Sequence, residues 1–494
     1  MNRREFLAAS ATTAAAFSIV PRHVLGGPMY VAPNDRIRTA CIGVGSQGFR
    51  VMMDFLRYDE IQIVSVCDVN RGSDVYIEWG KNELRNKVRH LIDDPNWGSY
   101  ADGAICGRLP AQDIVNKYYA QKSGKADYSG CSEFVDYREL LEQEDIDAVI
   151  VGTTDHHHAP ASMAAMKKGK HVFCQKPMTR TIREAREMAK VARESGVATQ
   201  VATGNSASED TRVLAEMVMD GAIGNVLEVH NWSARPFWPQ GFAKLTGSYA
   251  VPDYLDWDLW IGPSPMHLYH PDYQPFVWRA FFDFGAGAIG DMGCYSFDTM
   301  FRVLDVQYPT AAEATGSIEY KAQGSIAFPV ENNFTYPRAT RMHFEFPARY
   351  DKKPVDIYWY DGGIKPNRPE ELDKNEDMPR EGMLLIGDQG KILAGFNGSN
   401  PRLIPTSKME AYNMPPKTLP RSIGHYEEWI QACKGEGTPA ANFEFAGLVT
   451  ETILLGNAAY RAGEKLLWDG PNLKATNTDV SELVAPPYRA GWSL

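Results

Sequence analysis

Residues 37–68 decide the fold: the run IRTACIGVGSQG (37–48) is followed, after a spacer long enough for a helix, by the run IQIVSVCD (61–68). Two short apolar runs thus frame three glycines in the order G-x-G-x-x-G, and the second run ends on an acidic residue. This succession of strand, glycine-rich turn, helix, strand and acid is typical of a dinucleotide-binding βαβ unit, whereas an isolated glycine motif indicates only a turn. We therefore predict a dinucleotide site here.

Each glycine of this motif has a predicted role. Gly43 permits a tight turn, Gly45 lets the backbone approach a pyrophosphate at a helix N-terminus, and Gly48 lets that helix lie close to the strand. Asp68 follows Gly48 by twenty positions and can accept hydrogen bonds from a ribose diol, which favours NAD over NADP. The predicted cofactor-binding residues of this unit are Gly43, Gly45, Ser46, Gln47, Gly48 and Asp68.

The length and charge of the chain narrow the class of protein. A chain of 494 residues predicts two or more domains, and 44% hydrophobic with 23% charged residues is typical of a globular protein. The net charge of −11 argues against a nucleic-acid partner, which would favour a basic face. Seven cysteines in this length do not indicate a disulfide scaffold.

The first 35 residues are predicted to be an export signal and linker rather than part of the fold. Arg3 and Arg4 precede a modest apolar run, as in a twin-arginine signal, and two prolines follow in 22–35. The alternative is a disordered N-terminus. The apolar run is too short for a stable membrane span, and no later segment approaches that length. We therefore expect an exported, periplasmic protein without a membrane-inserted segment after the signal.

The remaining chain divides into two predicted domains. Residues 36–178 alternate strands with helices, which predicts a doubly wound parallel sheet with strands at 148–151 and 171–174 and a helix at 161–168. A polar insertion at 72–131, with helical segments predicted near 75–88 and 111–121, interrupts this pattern and could form a lip over the site or an oligomer contact. Residues 179–494 begin with a capping box, Thr181 with Glu184, that predicts the start of a helix. They then carry strands, among them 355–360 and 391–394, separated by Gly, Pro and Asn turns, which predicts an α+β domain with a large, mainly antiparallel sheet. Ligands of parallel sheets lie beyond the strand ends, where Thr153, Thr154, Asp155 and Lys176 fall.

Three residues could handle the proton of a substrate hydroxyl. Lys176 follows a strand and precedes a proline, and desolvation beside a cationic nicotinamide would lower its pKa. Asp291 and Tyr295 are four positions apart in GDMGCY, so they would share one face of a helix. The alternatives are a surface lysine, a helix cap and a core aromatic.

The order of six motifs, GVGSQG, TTDHHHAP, QKP, DGAIG, RPFWPQG and GDMGCY, resembles that of the Gfo/Idh/MocA oxidoreductases, in particular their exported members. The resemblance implies a Rossmann domain, a second domain with a large open sheet that mediates homo-oligomers, and NAD(P)-dependent chemistry on sugars and polyols. The family's catalytic lysine falls on Lys176, and its Asp-x-x-x-His pair falls on Asp291 and Tyr295. Gln175 and Tyr295 depart from the usual Glu and His, which leaves the identity of the acid or base open, although Lys176 could lower the pKa of the phenol.

Further residues are candidates for binding. Aromatic and polar side chains suit a sugar, and the alternative for each is ordinary packing. Adjacent histidines rarely chelate one ion well, so we predict no metal at His156–His158 and assign His158 to the cofactor loop. The predicted cofactor residues of the later loops are Thr153, Thr154, Asp155, His158 and Lys176. The predicted substrate-binding residues are Arg235, Trp238, Gln240, Trp278 and Arg279.

The expected protein is an exported NAD(P)-dependent oxidoreductase that acts on a sugar, sugar acid, polyol or glycoside. Because free NAD is scarce outside the cytoplasm, we expect the cofactor to be tightly bound. A second hypothesis is an NAD-dependent enzyme that cleaves glycosides by transient oxidation, elimination and re-reduction. A third is a non-catalytic sugar-binding protein, suggested by the missing His and Glu.

Overall fold

The computed structural model describes residues 35–124, 126–242, 245–274, 276–350 and 352–494, so the predicted signal and linker lie outside the described residues apart from Asp35. The helices are α1 Ser46–Leu56, α2 Glu83–Leu91, α3 Arg108–Ser123, α4 Tyr137–Leu140, α5 Asp155–Lys167, α6 Ile182–Ser195, α7 Glu209–Met219, α8 Trp257–Ile261, α9 Cys294–Leu304, α10 Thr406–Ala411, α11 His425–Cys433, α12 Phe443–Ala462 and α13 Ser481–Val484. Within the described ranges, no helix has both the length and the apolar character needed to cross a membrane.

The strands are β1 Ile37–Ile42, β2 Ile61–Cys67, β3 Ser73–Tyr76, β4 Ala104–Cys106, β5 Ser132–Phe134, β6 Ala148–Val151, β7 His171–Cys174, β8 Thr199–Val201, β9 Val226–Trp232, β10 Ala311–Gly316, β11 Tyr320–Gln323, β12 Ile326–Pro329, β13 Thr340–Phe346, β14 Val355–Tyr360, β15 Gly382–Gly387, β16 Lys391–Ala394, β17 Arg402–Ile404, β18 Leu466–Asp469 and β19 Lys474–Ala475.

The first domain is built on a six-stranded parallel sheet in the order β5-β2-β1-β6-β7-β8, which confirms the predicted doubly wound arrangement. The sheet continues past the predicted boundary at 178. Helix α6, opened by the predicted capping box of Thr181 and Glu184, returns the chain to β8 at the sheet edge. The first domain is longer than predicted because the three residues of β8 are too few to show a strand pattern.

The second domain contains a nine-stranded sheet in the order β17-β16-β15-β9-β14-β13-β10-β18-β19. Its neighbouring strands are antiparallel except for β9 and β14, which run parallel. One face packs against α9 and α12 in a core that includes Phe297, Phe344 and Ile453. The predicted α+β domain with a large, mainly antiparallel sheet is therefore confirmed.

The insertion at 72–131 packs on the first domain. The helix predicted over 75–88 is wrong in its first half, because β3 pairs with β4 and α2 begins only at Glu83, after Asn82 in a left-handed conformation. The second predicted helical segment is α3, whose Tyr119 hydroxyl accepts a hydrogen bond of 2.9 Å from Ile63 N in β2. The insertion therefore contributes to the core of this domain.

The two domains are joined at more than one place. Just after β2, the carbonyl of Val69 accepts a hydrogen bond of 3.0 Å from the backbone N–H of Asp256 in the second domain. Later in the chain, α11 inserts Trp429 into the core of the first domain, with ring centroids 5.3 Å from Phe55 and 5.7 Å from Phe173. These contacts hold the domains on either side of a cleft.

Candidate active site

A cleft of about 430 Å³ lies between the domains, beyond the carboxyl ends of β1, β2, β6 and β7. The structure brings most of the predicted site residues together in its lining: Gly43, Gly45, Ser46, Gln47, Asp68, Thr153, Thr154, Asp155, Lys176, Arg235, Trp278, Arg279, Asp291 and Tyr295.

The glycine-rich loop shows the close packing that its sequence predicts. Gly43 has a φ of +83°, and a Cβ on it would lie 2.5 Å from Thr153 N. Gly48 lies behind the cleft, where a Cβ would lie 2.0 Å from the carbonyl oxygen of Gly43. Helix α1 begins at Ser46 with Gly45 before it and no side-chain cap, so its first N–H groups can receive a phosphate.

Asp68 is held beside this loop by two backbone donors. Its carboxylate accepts hydrogen bonds from Val44 N at 2.7 Å and from Asn70 N at 2.8 Å. Burial raises the pKa of the Asp68 carboxyl to about 6, although both hydrogen bonds act in the opposite direction. A fixed carboxylate at the end of β2, next to a glycine turn, fits the ribose of a dinucleotide.

The TTDHHHAP segment (153–160) follows the end of β6, and α5 begins within it at Asp155, earlier than the predicted start at Ala161. Thr153 and Thr154 line the cleft at the strand end. Asp155 accepts a hydrogen bond of 3.2 Å from Ala286 N of the second domain, and burial raises the pKa of its carboxyl to about 7. This loop therefore connects the cofactor side of the cleft to the second domain.

His158 does not line the cleft, in contrast to the prediction, whereas the neighbouring His157 does. His158 is buried between the carbonyl oxygens of Pro177 at 2.7 Å and Thr153 at 3.1 Å, so it ties together the two loops that carry the site. His156 and His157 both contact a backbone carbonyl of α8 at 2.9 Å. Burial lowers the pKa of all three imidazoles. Among the described residues, no group of three or more His, Cys, Asp or Glu side chains could hold a metal ion.

Lys176 and Asp291 meet across the domain junction. Lys176 follows β7, and its Nζ donates to Asp291 Oδ1 at 2.7 Å and to the Asp291 carbonyl at 2.8 Å. Asp291 lies in a single π-helical turn, Ile289–Gly293, that leads directly into α9. Such turns are rare and occur mostly at functional sites.

Each member of this pair stabilises the charge of the other. Burial opposes the charge on Lys176, but the Asp291 carboxylate and Tyr295 leave the pKa of the ammonium above its ordinary value. Burial likewise opposes the charge on Asp291, yet Lys176 and Arg279 hold the pKa of that carboxyl below its ordinary value. The sequence does not show this carboxylate in contact, so the raised pKa was not expected; the lowering expected beside a cationic nicotinamide stays a prediction.

Tyr295 lies in the first turn of α9, with the Lys176 ammonium 5.1 Å from its ring centroid. Burial raises the pKa of the Tyr295 phenol, and Lys176 only partly offsets this effect. The expected lowering of the phenol pKa is wrong in the described cleft, because desolvation outweighs the neighbouring cation. Tyr295 is thus a neutral phenol beside an ammonium–carboxylate pair.

Two arginines reach the same end of the cleft. The Arg279 guanidinium carbon lies 4.2 Å from the ring centroid of Trp278, and Arg279 Nε lies 3.4 Å from Asp291 Oδ1. Arg235 stacks over Phe237 at 4.8 Å and contacts Glu381 at 3.3 Å. These predicted substrate-binding residues lie next to the proton-handling set.

Trp238 and Gln240 do not line the cleft, in contrast to the prediction. Trp238 Nε1 donates to Gln240 Oε1 at 2.9 Å, and Gln240 Nε2 donates to the Pro337 carbonyl at 2.6 Å. Both side chains are buried and pack beneath the loop whose neighbouring Phe237 faces the cleft. The sequence predicted that Trp238 contacts a sugar. Which of Phe237 and Trp238 faces the cleft depends on the path of the loop, which the sequence does not show.

Sequence reasoning missed an aromatic group at the cleft mouth. Trp79 of the insertion lies 5.8 Å from Phe237 and 5.7 Å from Phe276 between ring centroids, and these two rings stack at 5.3 Å. Trp79 and Phe237 remain 55% and 52% exposed. A tryptophan in an otherwise polar insertion was the available signal, but its partners are remote in sequence.

Comparisons with known proteins agree with this fold. Family models described as oxidoreductase family, NAD-binding Rossmann fold, and oxidoreductase family, C-terminal alpha/beta domain, match residues 108–203 and 210–327. A glycosyl hydrolase family 109 protein of Stenotrophomonas maltophilia is 27% identical over 229 residues, 46% of this chain and 41% of that protein. A levoglucosan dehydrogenase of Pseudarthrobacter phenanthrenivorans is 29% identical over 126 residues, 24% of this chain and 32% of that protein.

Among solved structures, the WlbA dehydrogenase from Bordetella pertussis in complex with NADH and UDP-GlcNAcA matches 88% of this chain and 99% of its own, with 14% identity and a TM-score of 0.51. This likeness concerns the fold. The chain spans less than half the length of the curated relatives that it matches.

The fold and the cleft define a two-domain protein with a dinucleotide-binding Rossmann domain. The two consecutive domain models are those of the Gfo/Idh/MocA oxidoreductases, so over residues 108–203 and 210–327 the chain is similar to that family.

Proposed function

We propose that this protein is an exported NAD-dependent oxidoreductase that transfers hydride to or from a hydroxyl-bearing carbon of a sugar, sugar acid, polyol or glycoside. One observation carries the proposal: the Lys176–Asp291 pair and Tyr295 line the same cleft as the glycine-rich loop and Asp68. A bound dinucleotide would supply the hydride acceptor or donor at its nicotinamide ring.

The residues of the cleft determine how a proton is handled. With Lys176 as an ammonium and Tyr295 as a neutral phenol, the set can donate a proton to a carbonyl oxygen. To take a proton from a hydroxyl, Lys176 must first lose one of its own. Asp291 keeps the ammonium in place through a 2.7 Å hydrogen bond, so its role is to position and charge the lysine.

The test is single-turnover reduction of bound NAD, followed by NADH absorbance, with a panel of sugars, sugar acids and polyols. Lys176→Ala should reduce the rate by about two orders of magnitude or more, the usual contribution of general acid–base catalysis. The control is Lys190→Ala, an exposed lysine on α6 that makes only 4.0 Å ion contacts. An unchanged rate in Lys176→Ala would show that the assignment is wrong.

The cofactor is proposed to be NAD, tightly bound and recycled. The Asp68 carboxylate beside the loop would repel a 2′-phosphate, which supports NAD over NADP. Native mass spectrometry of the purified protein tests this, because a bound nucleotide adds the mass of NAD. Purification without any nucleotide, together with no binding on addition of NAD, would contradict it.

A second candidate function is cleavage of glycosides through transient oxidation and re-reduction with the same cofactor. The name of one group of relatives, glycosyl hydrolase family 109, supports it. Incubation with aryl glycosides separates the two functions. Release of the phenol without net NADH supports cleavage, whereas steady formation of NADH without release supports oxidation alone.

Export is proposed from Arg3 and Arg4, which lie outside the described residues. The measurement is cell fractionation of the full chain and of the double variant Arg3→Lys/Arg4→Lys. We expect the protein in the periplasm and the variant in the cytoplasm. An identical distribution of both would contradict a twin-arginine route.

A further inference from the structure

Arg279 is a rigid guanidinium at the reacting end of the cleft. Its central carbon lies 4.3 Å from the ring centroid of Phe276 and 4.2 Å from that of Trp278, so two aromatic rings fix its position. Its Nε lies 3.4 Å from Asp291 Oδ1, the same carboxylate oxygen that contacts Lys176 Nζ at 2.7 Å. A stacked guanidinium loses little conformational freedom when it binds a ligand.

The terminal nitrogens of Arg279 have no hydrogen-bond acceptor among the described residues. Neither donates to a neighbouring side chain or carbonyl, and neither is a fully buried atom. Arg279 lines the cleft, and its side chain is 18% exposed. By contrast, Arg302 in the same domain bonds to Asp298 and to a backbone carbonyl.

Three cations act on the Asp291 carboxylate. Lys176, Arg279 and Arg235 all act on this one carboxylate and favour its charged form. Arg235 has a further partner in Glu381 at 3.3 Å, but Arg279 has no second carboxylate in contact. Arg279 also favours the charged form of Asp155, which lines the same cleft, but its one carboxylate contact among the described residues is the 3.4 Å contact of Nε with Asp291.

We propose that the substrate of this cleft is a sugar acid and that Arg279 receives its carboxylate as a bidentate pair, while Lys176 faces the hydroxyl that is oxidised. The planar fork of a guanidinium matches a carboxylate, and this charge-assisted pair is stronger than hydrogen bonds to neutral hydroxyls. This assignment rests on the proposed oxidoreductase function and specifies its substrate class.

The experiment is a calorimetric titration of the purified full chain, with and without added NAD, using matched pairs: D-glucuronate with D-glucose, D-galacturonate with D-galactose, and D-mannuronate with D-mannose. For at least one pair, we expect the acid to bind about tenfold more tightly or better, which is the effect of one charged hydrogen bond. The preference should fall in Arg279→Gln to about twofold or less and should weaken as salt is added.

Two variants serve as references. Arg279→Lys keeps the charge but loses the fork, so it should retain only part of the preference. Arg338→Gln, an exposed arginine paired with Glu319, should retain all of it. Equal binding of acid and neutral sugar in every pair, no binding of any acid, or an unchanged preference in folded Arg279→Gln would overturn the proposal. Failure of NAD to bind would contradict the proposed function alone, because calorimetry of the sugars does not depend on turnover.

Discussion

The charge of Lys176 depends on a single carboxylate. Asp291→Asn removes the group that raises the pKa of Lys176, and burial, which acts in the opposite direction, should then lower this pKa. If Lys176 must lose a proton before a hydroxyl is oxidised, the rise of kcat/KM for oxidation with pH should shift to lower pH by about one unit or more. The pH–rate profile of the variant tests this.

The control for that profile is Asp253→Asn, which changes an exposed carboxylate away from the pair. It should leave the profile in place. A profile that does not move in Asp291→Asn would show that Lys176 is not the group whose titration limits oxidation.

Asp155 makes a different prediction, about stability. Its folded pKa of about 7 is raised from 3.8 by burial, so its contribution to stability is present below pH 4 and is lost as the pH rises to 7. The unfolding free energy of the wild type should therefore fall between pH 4 and pH 7. In Asp155→Asn this fall should be smaller by about 4 kcal/mol at most, because one pKa unit corresponds to 1.36 kcal/mol. Denaturant unfolding at several pH values measures this difference, and identical pH dependence of the two proteins would contradict it.

Individual site residues could be predicted where they directly follow a strand of the parallel sheet. Gly43, Asp68 and Lys176 follow strands of a parallel sheet, whose carboxyl ends lie at one edge, so the pattern brought them together. The burial of His158 and of Trp238 could not be predicted, because it depends on carbonyl groups and loops remote in sequence. The charge of Lys176 could not be predicted either, because it depends on Asp291, which is remote in sequence.

Residues of the segment after β2 line the cleft next to the glycine-rich loop. Tyr76 lies against the glycine loop, where a Cβ on Gly45 would come within 2.9 Å of its ring. From there the chain reaches Trp79, whose ring contacts two aromatics of the second domain and lies under the Arg50 guanidinium at 5.7 Å. We expect a dinucleotide that leaves the cleft to pass this contact.

Trp79→Ala should therefore speed release of bound NAD about three- to tenfold, the effect of losing one or two aromatic contacts. Native mass spectrometry during a chase with isotope-labelled NAD measures the release. Tyr100→Ala, an 84% exposed aromatic of the same insertion, is the matched control. Equal release rates in Trp79→Ala and in the wild type would exclude a role for this contact in retention.

Strands could be predicted where they are buried and at least four residues long, as at β6, β7, β14 and β16, whose bounds match. The short edge strands β17 and β19 were missed because two or three residues carry no periodicity. The helix predicted over 75–88 failed because β3 forms only by pairing with β4, a contact between distant segments.

Over the whole molecule, the open face of the nine-stranded sheet is the predicted site of homo-oligomer contact. His230, Tyr358 and His343 stack across three strands on this face, with ring centroids 4.8 and 4.4 Å apart. Tyr358→Glu would place a charge in the centre of the face. We expect sedimentation to show an oligomer for the wild type and a smaller species for this variant at the same concentration.

Tyr320→Glu, on the exposed hairpin of β11 and β12, provides the control and should sediment like the wild type. A monomeric wild type, or an oligomer that persists in folded Tyr358→Glu, would contradict oligomerisation through this face.

The insertion of Trp429 between Phe55 and Phe173 has a consequence for synthesis of the chain. During translation, both phenylalanines are synthesised long before the tryptophan that covers them. Strand β8 likewise lacks a hydrogen-bond partner until Ala441 has been synthesised, because the Ala441 carbonyl accepts a hydrogen bond from Val201 N. An N-terminal domain commonly folds as soon as it emerges. Here the Rossmann half stays unfinished until about residue 441 has been made, so a nascent chain truncated before that point would expose an apolar surface and would need protection by chaperones.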